Sequence, residues 1–221
     1  MIEPKKIVKS RRKTIALVID SDGELIVRAP FYASNRDIMR FIQDKQNWIE
    51  QKSEEMKLKK QERPKLALQD GETIPYLGRE CMMFRGMTKK IYFDGKAFLL
   101  PEAGDAGTKL VTWYKKRAAV ILQERVETIA KNMQVVPAGV KITSAKTRWG
   151  SCSGTNHINF SWRLIMCPPE VVDYVVVHEL CHILHKNHSR SFWESVERVD
   201  ASYREHEKWL KDNRRIMEIL E

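Results

Sequence analysis

Apolar residues alternate with other positions at Ile15, Leu17 and Ile19 and again at Leu25 and Val27, with Asp22-Gly23 between the two runs. Successive strand side chains point to opposite faces and Asp-Gly suits a tight turn, so the pattern predicts a β-hairpin within the first thirty residues. Ser34 then stands where a helix N-cap belongs. Beyond it, Ile38, Ile42 and Trp48-Ile49 fall on one side of a long helix running to about residue 61. The lysine-rich stretch 57–65 suits the negative end of that helix, followed by a linker.

Short runs of aromatic and β-branched residues, punctuated by Gly71, Gly78, Gly86 and the turn Asp94-Gly95, predict a small antiparallel sheet over 71–100. The small residues of 101–107 read as a domain junction. A second long helix is expected from about 108 to 132, burying Leu110, Trp113, Ala118, Val120-Ile121 and Val126. Strand-like pieces at 140–143 and 157–160 flank a loop over 148–154. Pro168-Pro169-Glu170 then starts a helix, with proline in the first turn and a carboxylate against the helix dipole. These elements place an N-terminal region at 1–105 and a second domain at 106–221.

Composition narrows the class. With 43% hydrophobic and 31% charged residues, the chain reads as globular. No apolar run approaches the roughly 18–20 residues of a membrane span. The charged start, Met1 to Lys6, precedes no apolar signal core, so a cytoplasmic location is expected. Cys81, Cys152, Cys167 and Cys181 form no CxxC pair and are expected as reduced thiols. The net charge of +10 is concentrated early: residues 1–66 hold 16 Lys and Arg against 10 Asp and Glu. Such a front attracts nucleic acid or acidic proteins, or is a solvated basic face.

The chemistry gathers at His178-Glu179-Leu180-Cys181-His182. Residues four apart on a helix lie one above the other, so His178 and His182 can grip one cation while Glu179 meets a water upon it. This is the HExxH arrangement of zinc hydrolysis. A third ligand must come from elsewhere. His188 follows Asn187, a residue able to take the left-handed turn that ends a helix, and the chain could bend there to return His188 to the metal. His185 shares the helical face and is expected as the last helical residue, with a competing ligand or a substrate contact as the alternatives. Cys152 is a further candidate, because peptide deformylases pair HExxH with an upstream cysteine. Cys181 is expected in the core.

Around these residues the chain resembles the YgjP-like metallopeptidase family, relatives of the SprT-like and WLM zinc proteases. The resemblance is densest in Lys146 to Ser153, Asn159 to Leu164 and Asp173 to His182. It continues through Asn187-His188-Ser189 and Phe192-Trp193, with further traces at Arg11 to Thr14 and Val27 to Pro30. It implies that His178, His182 and His188 bind one Zn2+ per chain and that Glu179 is the general base. It also implies an α+β, zincin-like core with the active helix beside a small sheet, and a non-catalytic N-terminal region. The expected reaction is hydrolysis of peptide or protein substrates by a metal-activated water. Arg148, His157 and Tyr203 are oxyanion donors by type, with no position assigned. The strand at 157–160, if an edge, would pair with an extended substrate. The rival classes are a deformylase-like zinc amidohydrolase using Cys152, and a structural-zinc module that binds DNA through the basic N-terminal half.

Overall fold

Leu17 pairs with Val27 and Ile19 with Leu25, so the early alternation closes an antiparallel hairpin of β2 (Ala16–Ile19) and β3 (Leu25–Pro30). The structure, a computed structural model, describes residues 2–20, 22–61 and 66–220. A strand not expected from the sequence, β1 (Lys6–Ser10), pairs in parallel with β3 and completes a sheet of order β1-β3-β2. All its residues are exposed, so it carries no burial alternation to read.

Ser34 does cap the next helix, its hydroxyl accepting from the Asp37 backbone N–H. The expected single helix is two, α1 (Asn35–Asp44) and α2 (Gln46–Gln61), separated at Lys45. Ile38, Ile42 and Ile49 are buried with Leu25, Val27 and Ala29, whereas Trp48 is exposed. Of the lysine-rich stretch read as helix end and linker, residues 62–65 lie outside the described residues.

The chain divides into two compact units, Met1–Lys65 and Leu66–Glu221. The division falls well before the junction expected at 105/106, because the sheet and the following helix share one core. In the second unit β4 (Thr73–Tyr76), β5 (Arg79–Gly86), β6 (Tyr92–Phe93) and β7 (Ala97–Pro101) form a sheet of order β4-β5-β7-β6. It is mixed rather than antiparallel, since β5 and β7 run parallel. Its inner face, including Tyr76, Met83, Phe98 and Leu100, joins Leu110 and Tyr114 in the core. The Tyr114 hydroxyl donates to the Pro75 carbonyl at 2.8 Å.

Helix α3 (Ala106–Met133) buries Ala106, Leu110, Tyr114, Ala118, Leu122, Val126 and Ala130, a stripe at a strict spacing of four. Four residues overshoot one turn by about 40°, so the stripe winds around the helix. Its early part meets the four-stranded sheet, where Tyr114 and Phe98 stack. Its later part reaches α4 (Pro169–Leu184), where Arg125 makes a 2.8 Å ion pair with Asp173. Trp113 and Ile121 are only partly buried and Val120 is exposed.

The remaining sheet has the order β8-β10-β9, from β8 (Gly139–Thr143), β9 (Gly150–Cys152) and β10 (His157–Ser161). Part of the expected loop is therefore the strand β9. A 3-10 turn at Trp162–Met166 leads into α4, and α5 (Arg190–Val199) and α6 (Tyr203–Asp212) follow it. Proline at the start of α4 matches the sequence expectation. Val175, Val176 and Val177 are helical despite their β preference, because α4 is buried on nearly every side and packing outweighs propensity. No described helix is long and apolar enough to cross a membrane.

Gly78 has φ +75°, and a Cβ there would stand 2.8 Å from the Pro168 Cα just before α4. Gly78→Ala is therefore expected to lower unfolding free energy by about 2 kcal/mol, from both the left-handed backbone and the contact. Urea denaturation measures it, and an unchanged midpoint would show that the turn relaxes freely.

Candidate metal centre

His178 and His182 lie one turn apart on α4, and His188 comes from the segment joining α4 to α5. One ring nitrogen from each of the three falls within 4.8 Å of the other two. The Nε2 atoms of His178 and His188 are 3.1 Å apart. Tetrahedral bonds of about 2.0–2.1 Å to zinc would hold two nitrogens roughly 3.3 Å from each other, so the spacing fits a shared cation.

The protonation states fit as well. Burial, with neighbouring His182 and His188, depresses His178 to about 4, leaving its imidazole neutral. Burial lowers His182 too. His182 Nδ1 lies 3.0 Å from the His185 carbonyl, to which it must donate, and its Nε2 lone pair is then free for a cation. His178 Nδ1 is buried with no hydrogen-bond partner among the described residues.

His188 is exposed, so packing must aim it. Phe192, fully buried, sets its ring 4.6–4.9 Å from all three imidazoles. Trp193 stacks on His188 at 5.7 Å and is itself stacked by Tyr203 at 5.4 Å. These rings form the wall behind the third histidine. Their sequence signal is the Phe192-Trp193 pair one turn into α5, and Tyr203 gives no such signal.

Helix α4 ends at Leu184, and the extended His185 (φ −130°) caps it. Asn187 does not adopt the expected left-handed conformation. His185 is not the last helical residue but the extended residue that follows it. Its side chain turns to Ser195, Nε2 to Oγ 3.1 Å, and the Ser195 hydroxyl donates to the Ser191 carbonyl. Cys152 does not join the imidazoles, and its thiol donates to the Ser153 carbonyl. All four cysteines are unpaired.

Glu179 lies under β9. A Cβ on Gly150 would come within 2.7 Å of the Glu179 Cγ and Oε1, so glycine is what lets strand and carboxylate approach. Glu179 is 6% exposed, and its Oε2 has no hydrogen-bond partner among the described residues. Burial raises its pKa to about 7, opposed by the Arg148 charge and the Cys152 backbone N–H. Of the oxyanion donors considered, His157 bonds Thr155 and the Tyr203 hydroxyl accepts from Arg204. The strand at 157–160 is not an edge: β10 is flanked by β8 and β9, so its main-chain groups are already paired.

A second polar pair lies nearby. His206 Nδ1 meets the Asp200 carboxylate at 2.8 Å, both largely buried, and the Tyr174 ring lies between His206 and His178.

A carboxyl with a raised folded pKa costs stability when ionised. The cost is absent below the ordinary value of 4.5, grows as pH rises, and is complete above about 7. In metal-free protein, Glu179→Gln is therefore expected to gain on wild type by on the order of 2–3 kcal/mol between those limits. Urea titrations across this range measure the gain, and a pH-independent difference would contradict the burial described.

No curated protein matches the sequence. Among solved structures, the metallopeptidase zymogen abylysin of Pyrococcus abyssi is similar at 21% identity. That match covers 41% of this chain and 93% of abylysin, with a TM-score of 0.38. The family model described as YgjP-like, metallopeptidase domain, matches residues 13–213. With about nine-tenths of its length inside that match, the chain belongs to the YgjP-like metallopeptidase family.

Proposed function

We propose that this metallopeptidase hydrolyses peptide bonds with one zinc ion held by His178, His182 and His188 and with Glu179 as general base. The observation that carries the proposal is the convergence of three imidazole nitrogens, with a buried carboxylate next to the first of them in sequence. All-imidazole ligation suits zinc among the common divalent metals. Bound there, zinc supplies the positive charge that acidifies a water and polarises a carbonyl.

The chain's own residues do the rest. Glu179 accepts the proton of the attacking water and delivers it to the leaving amine. Its burial makes an ionised Glu179 costly by itself, and a neighbouring cation draws its pKa down into the working range. The His185 carbonyl holds His182 in the tautomer whose Nε2 can ligate, and the Phe192 and Trp193 rings fix the angle of His188. An extended peptide or protein segment is the substrate this surface suits. Strand β9 pairs only with β10 in its sheet, and it runs beside Glu179. In these terms α4 with the three-stranded sheet is a zincin-like core, and the catalytic unit is Leu66–Glu221.

Metal analysis and cleavage of an unfolded protein test the assignment together. Wild type is expected to carry one zinc per chain and to cleave. Glu179→Gln keeps the zinc and loses roughly 10²–10⁴-fold in rate. His188→Ala loses the zinc, whereas His185→Ala keeps it. Zinc retained by His188→Ala but lost from His185→Ala would overturn the ligand set, and wild-type cleavage by Glu179→Gln would remove its role as base.

A further inference from the structure

The N-terminal unit has its own chemistry, separate from the metal centre. Between residues 1 and 20 the chain holds Lys5, Lys6, Lys9, Arg11, Arg12 and Lys13 against Glu3 and Asp20, and Asp20 pairs with Lys5 at 3.5 Å. The turn after β1 carries Arg11, Arg12 and Lys13, of which Arg11 and Lys13 are exposed. Two aromatic residues follow β3 directly: Phe31 is 63% exposed and Tyr32 79%. Rings are rarely left so bare beside one another without a partner to cover them.

Two hydrogen bonds join this aromatic corner to the basic segment. The Tyr32 hydroxyl donates to the Lys13 carbonyl at 3.0 Å, and Lys9 Nζ donates to the Ala33 carbonyl at 3.0 Å. The rings and the cations therefore share one end of the β1-β3-β2 sheet, and the Tyr32 ring is held in place rather than free to fold back.

From this juxtaposition we propose that the N-terminal unit binds single-stranded nucleic acid, with phosphates on Arg11, Arg12 and Lys13 and unpaired bases stacked on Phe31 and Tyr32. Three successive cations in one turn, Arg11, Arg12 and Lys13, select a polyanion. Exposed flat rings select among polyanions: every unpaired base offers a π-face, whereas a duplex hides its base faces within the stack. An acidic peptide satisfies the cations and leaves the rings uncovered.

The test uses the full chain and fluorescence anisotropy with a labelled oligothymidylate of about 20 nucleotides. A duplex of the same length and poly-glutamate serve as competitors. Binding to the single strand is expected to weaken steeply from about 50 to 200 mM salt. Phe31→Ala with Tyr32→Ala is expected to weaken it at least about fivefold at an unchanged salt slope. Arg11→Gln with Lys13→Gln is expected to reduce the slope by about 0.7 for each phosphate that is no longer neutralised. All four side chains are exposed, and circular dichroism of each variant checks that the unit remains folded. No binding at the lowest salt overturns the proposal. So does equal competition by the duplex with the aromatic variant unaffected, or displacement by poly-glutamate at matched charge.

Discussion

Taking a carboxylate and two imidazoles out of water on a helix packed from nearly every side is the constraint around which the second unit is arranged. Neutral imidazoles tolerate such a place, and burial keeps His178 neutral. Glu179 tolerates it badly, because nothing nearby fully replaces its hydration. Its neighbours reflect that tension. Gly150 gives up a side chain to let the carboxylate sit beneath β9, and His185 ends α4 so that its carbonyl meets His182. The Phe192 and Trp193 rings exclude water from one side of the cluster without competing for its nitrogens. In the proposed zinc-bound state the cation compensates the carboxylate, so metal binding and the stability of this interior are linked.

Much of the local structure was legible because its cause is local. Ser34 at a cap, Asp22-Gly23 between alternating runs, and prolines ahead of α4 each act within a few residues of themselves. The imidazole cluster was legible for the same reason, two of its members being fixed by helical spacing alone. What escaped was non-local. The parallel pairing of β5 with β7 is a choice of partner, and hairpin-like punctuation between them gives no hint of it. Strand β1 escaped because it is exposed throughout, and β9 because three residues are too few to show a period. Cys152 was a sound candidate by chemistry alone. Its strand instead directs its backbone N–H toward Glu179 and its thiol to Ser153.

The family match runs from residue 13 to 213 and so crosses the division between the two units. The N-terminal unit is thus part of what the family shares, not an appendage to a smaller catalytic domain. Its core is modest: one sheet face closed by α1 and α2 through Leu25, Val27, Ile38, Ile42 and Ile49. The exposed Phe31 and Tyr32 take no part in that core.

Helix α3 has a bearing on how this family could vary in length. Its winding stripe serves the four-stranded sheet near one end and α4 near the other, so the two halves are phased to different partners. One residue inserted near Ala118 would rotate everything beyond it by about 100°, carrying Leu122, Val126 and Arg125 away from their neighbours. An insertion in the 102–105 loop changes no phase at all. Natural length changes should therefore collect in such loops, and the middle of α3 should hold its residue count.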